Sequence, residues 1–482
     1  MIGTIILEKD KEEELLSRKE NSFNDVKSSM ISPAKLSKTV SAFANASGGE
    51  IYLGIKEDTR TGNRETDGKD KEENYNDIVT MLESLEGLNE EFSLTFLVFQ
   101  SKKIGLQITV FKNHSVVRAS NGEIYIRKNA QNLKVETDEQ KRRLELDKGI
   151  YPYENTRVPE SDIADAINSE IYSYFAKNVI PNIDKFNWLR TQKLCMDSTL
   201  NVAGTLLFTD EPQVVLPKKS SIKIYRYKTS GEATRSTLGG NPITIEGCAY
   251  NQIYNAVKKV KEIIETIKKL DKKFSDIKYP DTTIHEIVTN AVLHRDYSIA
   301  TDIQIRIFDN RVEVESPGKL AGHVTVKNIL SEQFARNPKL VRLMNKFPSP
   351  PNKDVGEGLN TAFSAMTALR LKPPEIIETD SAVLVIIKHE KLASPEEIIM
   401  EYMKIHEIIT NSIGREITGI SSENTMKRVF YKLRDAGYIE RINDDSMRGN
   451  KAAWRLKDGV DISRVIEFEK NTQITLFDNE EL

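Results

Sequence analysis

Cysteine is nearly missing from this sequence: Cys195 and Cys248 are the two in 482 residues. Two thiols cannot build a disulfide framework, and their scarcity fits a reducing, cytoplasmic compartment. The six histidines are scattered, and with the cysteines they give no zinc-like spacing. No apolar run approaches the ~20 residues that span a bilayer, and the N-terminus lacks a signal-peptide core, so no membrane association is expected. Charge of neither sign prevails: 69 Lys+Arg against 72 Asp+Glu leave a net charge of −3. That excludes a uniformly basic nucleic-acid coat and leaves any such affinity to local patches. No repeat at solenoid spacing is visible. A G-x-x-x-x-G-K-[ST] phosphate loop occurs nowhere. The triplet His294-Arg295-Asp296 imitates a protein-kinase catalytic loop, but the Gly-rich loop, the strand Lys and the downstream Asp-Phe-Gly are all missing. His294 and Asp296 are read instead as a hydrogen-bonded helix C-terminus.

What is there begins with residues 279–297, an apolar-periodic run that holds Glu286 and Asn290 four residues apart. On a helix the two project from one face, one turn apart. A carboxamide oxygen is a neutral, hard ligand suited to Mg²⁺, which usually carries phosphates with it. A carboxylate one turn away can polarise the water that attacks a terminal phosphate. Downstream, strand-like runs over 302–308 and 312–315 flank a turn and stop at Ser316-Pro317-Gly318. Arg336-Asn337-Pro338 follows, and then Gly356-Glu357-Gly358-Leu359-Asn360, which opens a helix. Paired glycines ahead of a helix let backbone amides approach phosphate oxygens.

Helix, strand pair, S-P-G, R-N-P and G-E-G-L in that order resemble the divergent GHKL ATPase module labelled RecG-like C-terminal, over roughly residues 195–390. The resemblance implies Glu286 as the water-activating residue and Asn290 as the Mg²⁺ ligand. It places Gly318 near the adenine pocket and Gly356 and Gly358 in the loop over the phosphates, with ATP or ADP and Mg as cofactor. Two departures stand out. Glu315-Ser316-Pro317-Gly318 replaces the usual adenine-reading Asp-x-Gly, and Asn360 stands where the module often has Arg.

Residues 32–46 read as a helix, with Pro33 suited to its first turn and Leu36, Val40 and Phe43 as its apolar face. A strand over 50–55, a charged solvated loop over 57–76, and alternating runs at 92–99, 105–111 and 122–127 complete an α+β domain ending near Gly149. Glu20, Asp25-Val26-Lys27, Phe43-Ala44-Asn45, Gly48-Gly49 and Ile124-Tyr125-Ile126-Arg127-Lys128 resemble the Schlafen-type AlbA-like domain over roughly 15–148. Some members of that family are metal-dependent nucleases with three acidic residues. The match implies Glu20, Asp25 and either Glu57 or Asp58 as such a cluster, with Mn or Mg; Asp25 stands where the family more often has Glu. Lys27, Arg127 and Lys128 would contact phosphates whether or not the domain cuts. The alternative is that these acids are solvated charges on a fold that only binds nucleic acid.

Residues 150–194 are helical in pattern and link the domains. The runs 200–208 and 221–227 read as strands. Residues 253–274 suit an amphipathic helix whose lysines are read as a solvated face. From Ser394, three helices (from 394, around 407–413, and from 422 to Gly437) are followed by strands over 438–442 and 452–456 around a polar tip, 443–450. This segment resembles winged helix-turn-helix regulators. Residues 424–457 hold nine Lys/Arg against four Asp/Glu. Lys427, Arg428, Lys432 and Arg434 fall on the recognition helix, and Arg448 and Lys451 on the wing, as docking of a helix in the major groove requires. In the tail, Gln473-Ile474-Thr475-Leu476-Phe477 resembles the peptide by which bacterial replication proteins engage the sliding clamp. Leu476 and Phe477 would be its apolar anchors and Gln473 its register-fixing amide.

The expected fold is therefore multidomain α+β: an AlbA-like α+β domain (1–149), a helical linker (150–194), a GHKL-like α/β sandwich (195–391), a winged helix (392–460) and a tail (461–482). The expected protein is an ATP-binding, DNA-binding transcriptional regulator, with RNA as the other nucleic-acid partner and a homo-oligomeric state. The alternative is a metal-dependent Schlafen-like nuclease, a defence effector switched by nucleotide.

Overall fold

A computed structural model of the chain describes residues 2–457 apart from 59, 183, 217–219, 271–278, 352–357, 370, 390–394, 404–405, 419, 421 and 443–452. The chain divides into two compact units, Met1–His389 and Glu390–Leu482. It is multidomain α+β, with sheets that mix parallel and antiparallel pairs. Among the described residues no helix is long and apolar enough to cross a membrane.

The first sheet begins with β1 (Gly3–Ile6), then α1 (Lys9–Ser17), β2 (Asn24–Lys27), α2 (Pro33–Ala44) and β3 (Gly49–Leu53). The Ser32 side chain accepts from the Lys35 backbone N–H, and Pro33 occupies the first turn, which fixes where α2 starts. Its Leu36, Val40 and Phe43 are fully buried. Asn45, just beyond α2, donates through Nδ2 to the Val117 and Tyr125 carbonyls and accepts from Val117 N–H. Gly49 has to be glycine, because a Cβ there would lie 2.3 Å from the Phe43 ring. The Phe-Ala-Asn and Gly-Gly signature is thus a packing device of the core. The solvated loop expected over 57–76 holds a small hairpin instead, β4 (Ile55–Glu57) and β5 (Arg64–Thr66). Three-residue strands are too short to show alternation. Then come α3 (Asn76–Ser84), β6 (Phe92–Val98), β7 (Ile104–Val110), the hairpin β8 (Tyr125–Lys128) and β9 (Gln131–Lys134), and α4 (Asp138–Asp147). The strand order is β1-β6-β7-β3-β2.

The helices α5 (Ile163–Ile167), α6 (Glu170–Val179) and α7 (Lys185–Thr191) are more than a linker. Ile163, Tyr172, Phe175 and Trp188 belong to the same core as the central sheet. The Phe175 ring lies 5.3 Å from Trp188, 5.1 Å from Phe208 and 4.9 Å from Phe347. After the short strands β10 (Cys195–Met196) and β11 (Thr199–Leu200), the run expected as a strand over 200–208 is helix α8 (Val202–Phe208). Asn201 caps it by accepting from Gly204 N–H. Every residue of α8 is buried, so the run shows no polar face, and periodicity cannot tell helix from strand there.

The central sheet comprises β12 (Ile222–Arg226), β13 (Ile243–Ile245), β14 (Ile303–Ile307), β15 (Arg311–Pro317), β16 (Glu375–Glu378) and β17 (Ala382–Lys388), in the order β13-β12-β14-β15-β17-β16. Of its pairs, β12 and β14 run parallel and the others antiparallel. Ile222, Ile224, Ile303, Ile305, Val312 and Val314 alternate onto one face and join the core. Packed into that core are residues of α9 (Ala249–Leu270), α10 (Asp281–Leu293), α11 (Pro338–Met344) and α12 (Gly358–Ala368).

The second unit holds α13 (Pro395–Tyr402), β18 (Ile409–Thr410), α14 (Asn411–Thr418), α15 (Glu423–Asp435), β19 (Ile439–Arg441) and β20 (Ala453–Leu456), with strand order β18-β20-β19. The helix expected around 407–413 starts at Asn411, after a two-residue strand. Met426, Phe430 and Leu433 of α15 share a core with Met400 and Trp454, and the Phe430 and Trp454 rings stack at 5.5 Å. Residue 394 and the tip 443–450 lie outside the described residues.

Candidate functional site

Ile284, Ile287, Val288 and Val292 hold one face of α10 in the core. That fixes Glu286 and Asn290 on a face that lines a cavity of about 470 Å³. The two side chains share one face, as the four-residue spacing predicts, and they also touch: Asn290 Nδ2 donates to Glu286 Oε1 at 2.9 Å. Glu286 is 8% exposed. From the other side, the first residue of α12 closes in. A Cβ on Gly358 would lie 1.8 Å from Glu286 Oε1, so a larger residue here would have to displace the carboxylate. Gly356 lies outside the described residues.

At the end of β15, Ser316 Oγ donates to the Ala291 carbonyl at 2.8 Å and ties the strand to α10. Gly318 has φ +100, and a Cβ there would lie 2.5 Å from Asp296 Cβ. It lines the cavity, and its lack of a side chain serves the close approach to Asp296. From here residues 318–336 run as a strap along the cavity wall, which Leu320, Ala321, Phe334 and Arg336 line. His294 caps α10 through its backbone N–H, as a helix C-terminus should. Its ring sits deep yet keeps surface toward the cavity. Burial, then the Arg336 guanidinium, pushes the imidazole down to about 4, so it is neutral near pH 7.

Asp296 is the charged centre behind this wall. Its side chain is 1% exposed, between Arg143 at 2.5 Å and Arg336 at 3.2 Å. Burial works to raise its pKa, but Arg336 and then Arg143 overrule it and hold the carboxyl below the usual range. Arg336 also donates to the Leu146 and Lys319 carbonyls, while its buried Nε has no partner among the described residues. Asn337 donates to the Leu293 and Arg295 carbonyls. The Arg-Asn-Pro motif is therefore the staple that holds α11 to the end of α10. Sequence reasoning missed the Arg143–Asp296–Arg336 triad, since nothing local joins residues 153 positions apart.

In the N-terminal region, Glu20 and Asp25 come together and Glu57 does not join them. Lys27 Nζ lies 2.6 Å from Asp25 Oδ1 and 3.5 Å from Glu20 Oε1. Glu57 is turned to Arg64 at 2.7 Å. Among the described residues no three His, Cys, Asp or Glu side chains gather as a metal site. Burial, then the hydrogen bond with Glu20, pushes the Asp25 carboxyl up to about 6. Asp58, the other candidate for the third acid, caps its own turn by accepting from Arg60 and Thr61 N–H.

Arg127, expected on phosphate, is instead an internal residue. Its side chain is 1% exposed, pairs with Asp25 at 3.4 Å, donates to the Asn21 and Asn24 carbonyls and lies over the Phe43 ring. Lys128 is exposed and Lys27 half-buried. Arg127→Ala should therefore cost stability, about 3 kcal/mol as for breaking a buried ion pair at the low end of that class. Lys128→Ala, at an exposed position, should leave the melting temperature unchanged. Calorimetric melting of both variants checks this; an Arg127→Ala variant that melts like wild type would overturn the assignment.

On α15, Lys427, Arg428, Lys432 and Arg434 are exposed opposite the buried Met426, Val429, Phe430 and Leu433. Lys427 pairs with Glu423, Lys432 with Glu396 and Arg434 with Asp435. Arg448, Lys451, Gln473, Leu476 and Phe477 lie outside the described residues.

Residues 20–136 match the family described as "Schlafen, AlbA_2". Residues 300–387 match the one described as "Putative ATP-dependent DNA helicase recG C-terminal". The second match is shorter than the 195–390 read from the motifs and begins after α10. No curated protein matches the chain. Among solved structures, the crystal structure of the DIP2311 protein from Corynebacterium diphtheriae is similar at 17% identity, over 92% of this chain and 94% of that one, with a TM-score of 0.39. The architecture suggested by the motifs stands: a Schlafen AlbA_2 region and, after it, a RecG-like C-terminal region in one chain.

Proposed function

We propose that the chain is a nucleotide-responsive regulator that binds nucleic acid. Its central module, read as GHKL-like, takes an adenine nucleotide with Mg²⁺. Its AlbA-like region and its second unit, read as a winged helix, hold DNA. The observation that carries the reading is the Glu286–Asn290 pair inside the cavity of about 470 Å³, a size ordinary for small-molecule sites. The donor set suits the metal. Asn290 Nδ2 is spent on Glu286, which leaves the hard amide oxygen for a cation. Magnesium, when bound, offsets phosphate charge and orients the phosphoryl group. Glu286, held by Asn290, would take a proton from water directed at the terminal phosphate. Backbone N–H groups at the start of α12 favour the phosphates themselves. Ser316 stands where an Asp usually reads adenine. Its proton is given to Ala291, so its lone pairs are left to accept from an amino group of the base.

Calorimetry on the full chain in millimolar Mg²⁺ should show ADP or ATP binding at one site. A flat titration at millimolar nucleotide overturns the reading. Nucleotide would act by binding one arrangement of the nucleic-acid-binding regions better than another. The nuclease alternative asks Glu20, Asp25 and either Glu57 or Asp58 to hold one or two ions, whereas Lys27 pairs with Glu20 and Asp25 and Arg64 with Glu57.

For the second unit, Arg428→Ala combined with Lys432→Ala should weaken duplex binding evenly across sequences. It should also lower the slope of log affinity against log salt by about 2, one for each phosphate that is no longer neutralised. Anisotropy over a salt series measures it, and an unchanged slope would remove α15 from the DNA-binding face.

A further inference from the structure

The strap over residues 318–336 walls the cavity but is anchored largely from the N-terminal region. Lys112 Nζ donates to the Leu320 carbonyl at 2.7 Å and the Val324 carbonyl at 2.9 Å. Phe334 packs against His114, ring centroids 5.4 Å apart, and sits so close to Gly149 that a Cβ there would lie 2.3 Å from its ring. Arg336 donates to the Leu146 carbonyl at 3.0 Å and shares Asp296 with Arg143 of α4. Lys112, His114, Arg143, Leu146 and Gly149 do not line the cavity, whereas Leu320, Val324, Phe334 and Arg336 do. One strap thus has a ligand-facing side and a side gripped by the region that matches Schlafen AlbA_2 and by α4, the helix just after it.

We propose that this strap couples the two regions: nucleotide in the cavity fixes α4 against the central module through Arg336–Asp296–Arg143, and nucleic acid on the N-terminal region changes nucleotide affinity by the same factor. The proposal rests on the nucleotide reading above. Reciprocity follows from linkage, since a coupling free energy belongs to both sites at once. Discreteness follows from burial. Lys112 and Asp296 side chains are 8% and 1% exposed, and buried charges tolerate only arrangements that keep their partners. The strap therefore shifts between arrangements rather than bending by degrees, which is the physical requirement for transmission.

The test uses the full chain as wild type, Arg143→Met and Lys112→Met, with ADP and Mg²⁺ as the probe and hydrogen exchange as the readout. In wild type, ADP·Mg²⁺ should slow exchange in both the strap and residues 138–149. In Arg143→Met the strap should still be protected, and protection of 138–149 should fall about fivefold or more, as coupling energies of ordinary size require. Lys112→Met gives the same loss from an independent anchor, should either variant fold poorly. ADP binding in wild type without any change at 138–149 overturns the proposal, as does full transmission in both variants. Should wild type bind no ADP, the nucleotide reading fails by itself. The coupling is then judged without ligand: Arg143→Met should speed exchange in the strap, and an unchanged strap overturns it.

Discussion

Asp296→Asn is expected to destabilise residues 1–389 by about 5 kcal/mol, the upper end for removing one partner of a buried ion pair. The reason is geometric. One carboxylate, 1% exposed, serves Arg143 and Arg336 together and accepts from Ser298 as well. An amide of the same shape leaves the deeply buried Arg336 without its paired anion, while Arg143 keeps Asp147. The pH dependence has a definite sign. The folded carboxyl titrates below its ordinary value, so its contribution is complete above the unfolded pKa of ~3.9. It is lost as pH falls through the depressed folded value. Melting temperatures should therefore separate wild type from Asp296→Asn most at neutral pH and converge in acid. Equal melting at pH 7 would show that the triad carries no stability.

Asn290→Ala should raise the dissociation constant for Mg²⁺–nucleotide about thirtyfold, equivalent to the ~2 kcal/mol of a hydrogen bond or ligand contact to a charged group. It also removes the donor that holds Glu286. Glu286→Gln keeps shape and binding but cannot accept the proton of water, so any hydrolysis should fall by ~10²–10⁴. Calorimetry and phosphate release separate the two. Asn290→Ala bound as tightly as wild type would remove it from the metal, and Glu286→Gln at full turnover would move the base elsewhere.

Much of this site was legible because its elements are local. The four-residue spacing of Glu286 and Asn290, the glycine at 358 and the Ser-Pro-Gly stop each follow from one turn of helix or the end of one strand. Ser32 and Pro33 announced α2 in the same way. Legibility ended where burial is complete or contacts are distant. The run 200–208 is apolar on all sides, so it gave no period to read, and only Asn201, a capping residue, hinted at a helix. Arg127 sits on a strand between Ile126 and Lys128. Nothing in that string says that Asn21 and Asn24 carbonyls and Asp25 wait to receive it. For the acids Glu20, Asp25 and Glu57, spacing in sequence could not register that Lys27 sits beside the first two and that Arg64 pairs with the third. The strap escaped notice because its anchors, Lys112 and Arg143, lie in another region of the chain.

The interlocked rings of Phe175, Trp188, Phe208 and Phe347 bear on how such a gene could be cut and rejoined. A recombination break between 175 and 188 would hand the incoming half a sheet missing part of the aromatic wedge that fills it. The matched stretch 300–387, although recognisable in sequence, is therefore not by itself an inheritable part. Its smallest transferable form begins ahead of Val158, where the shared core starts, and the seam at which natural shuffling can exchange partners falls after His389, where the compact unit ends.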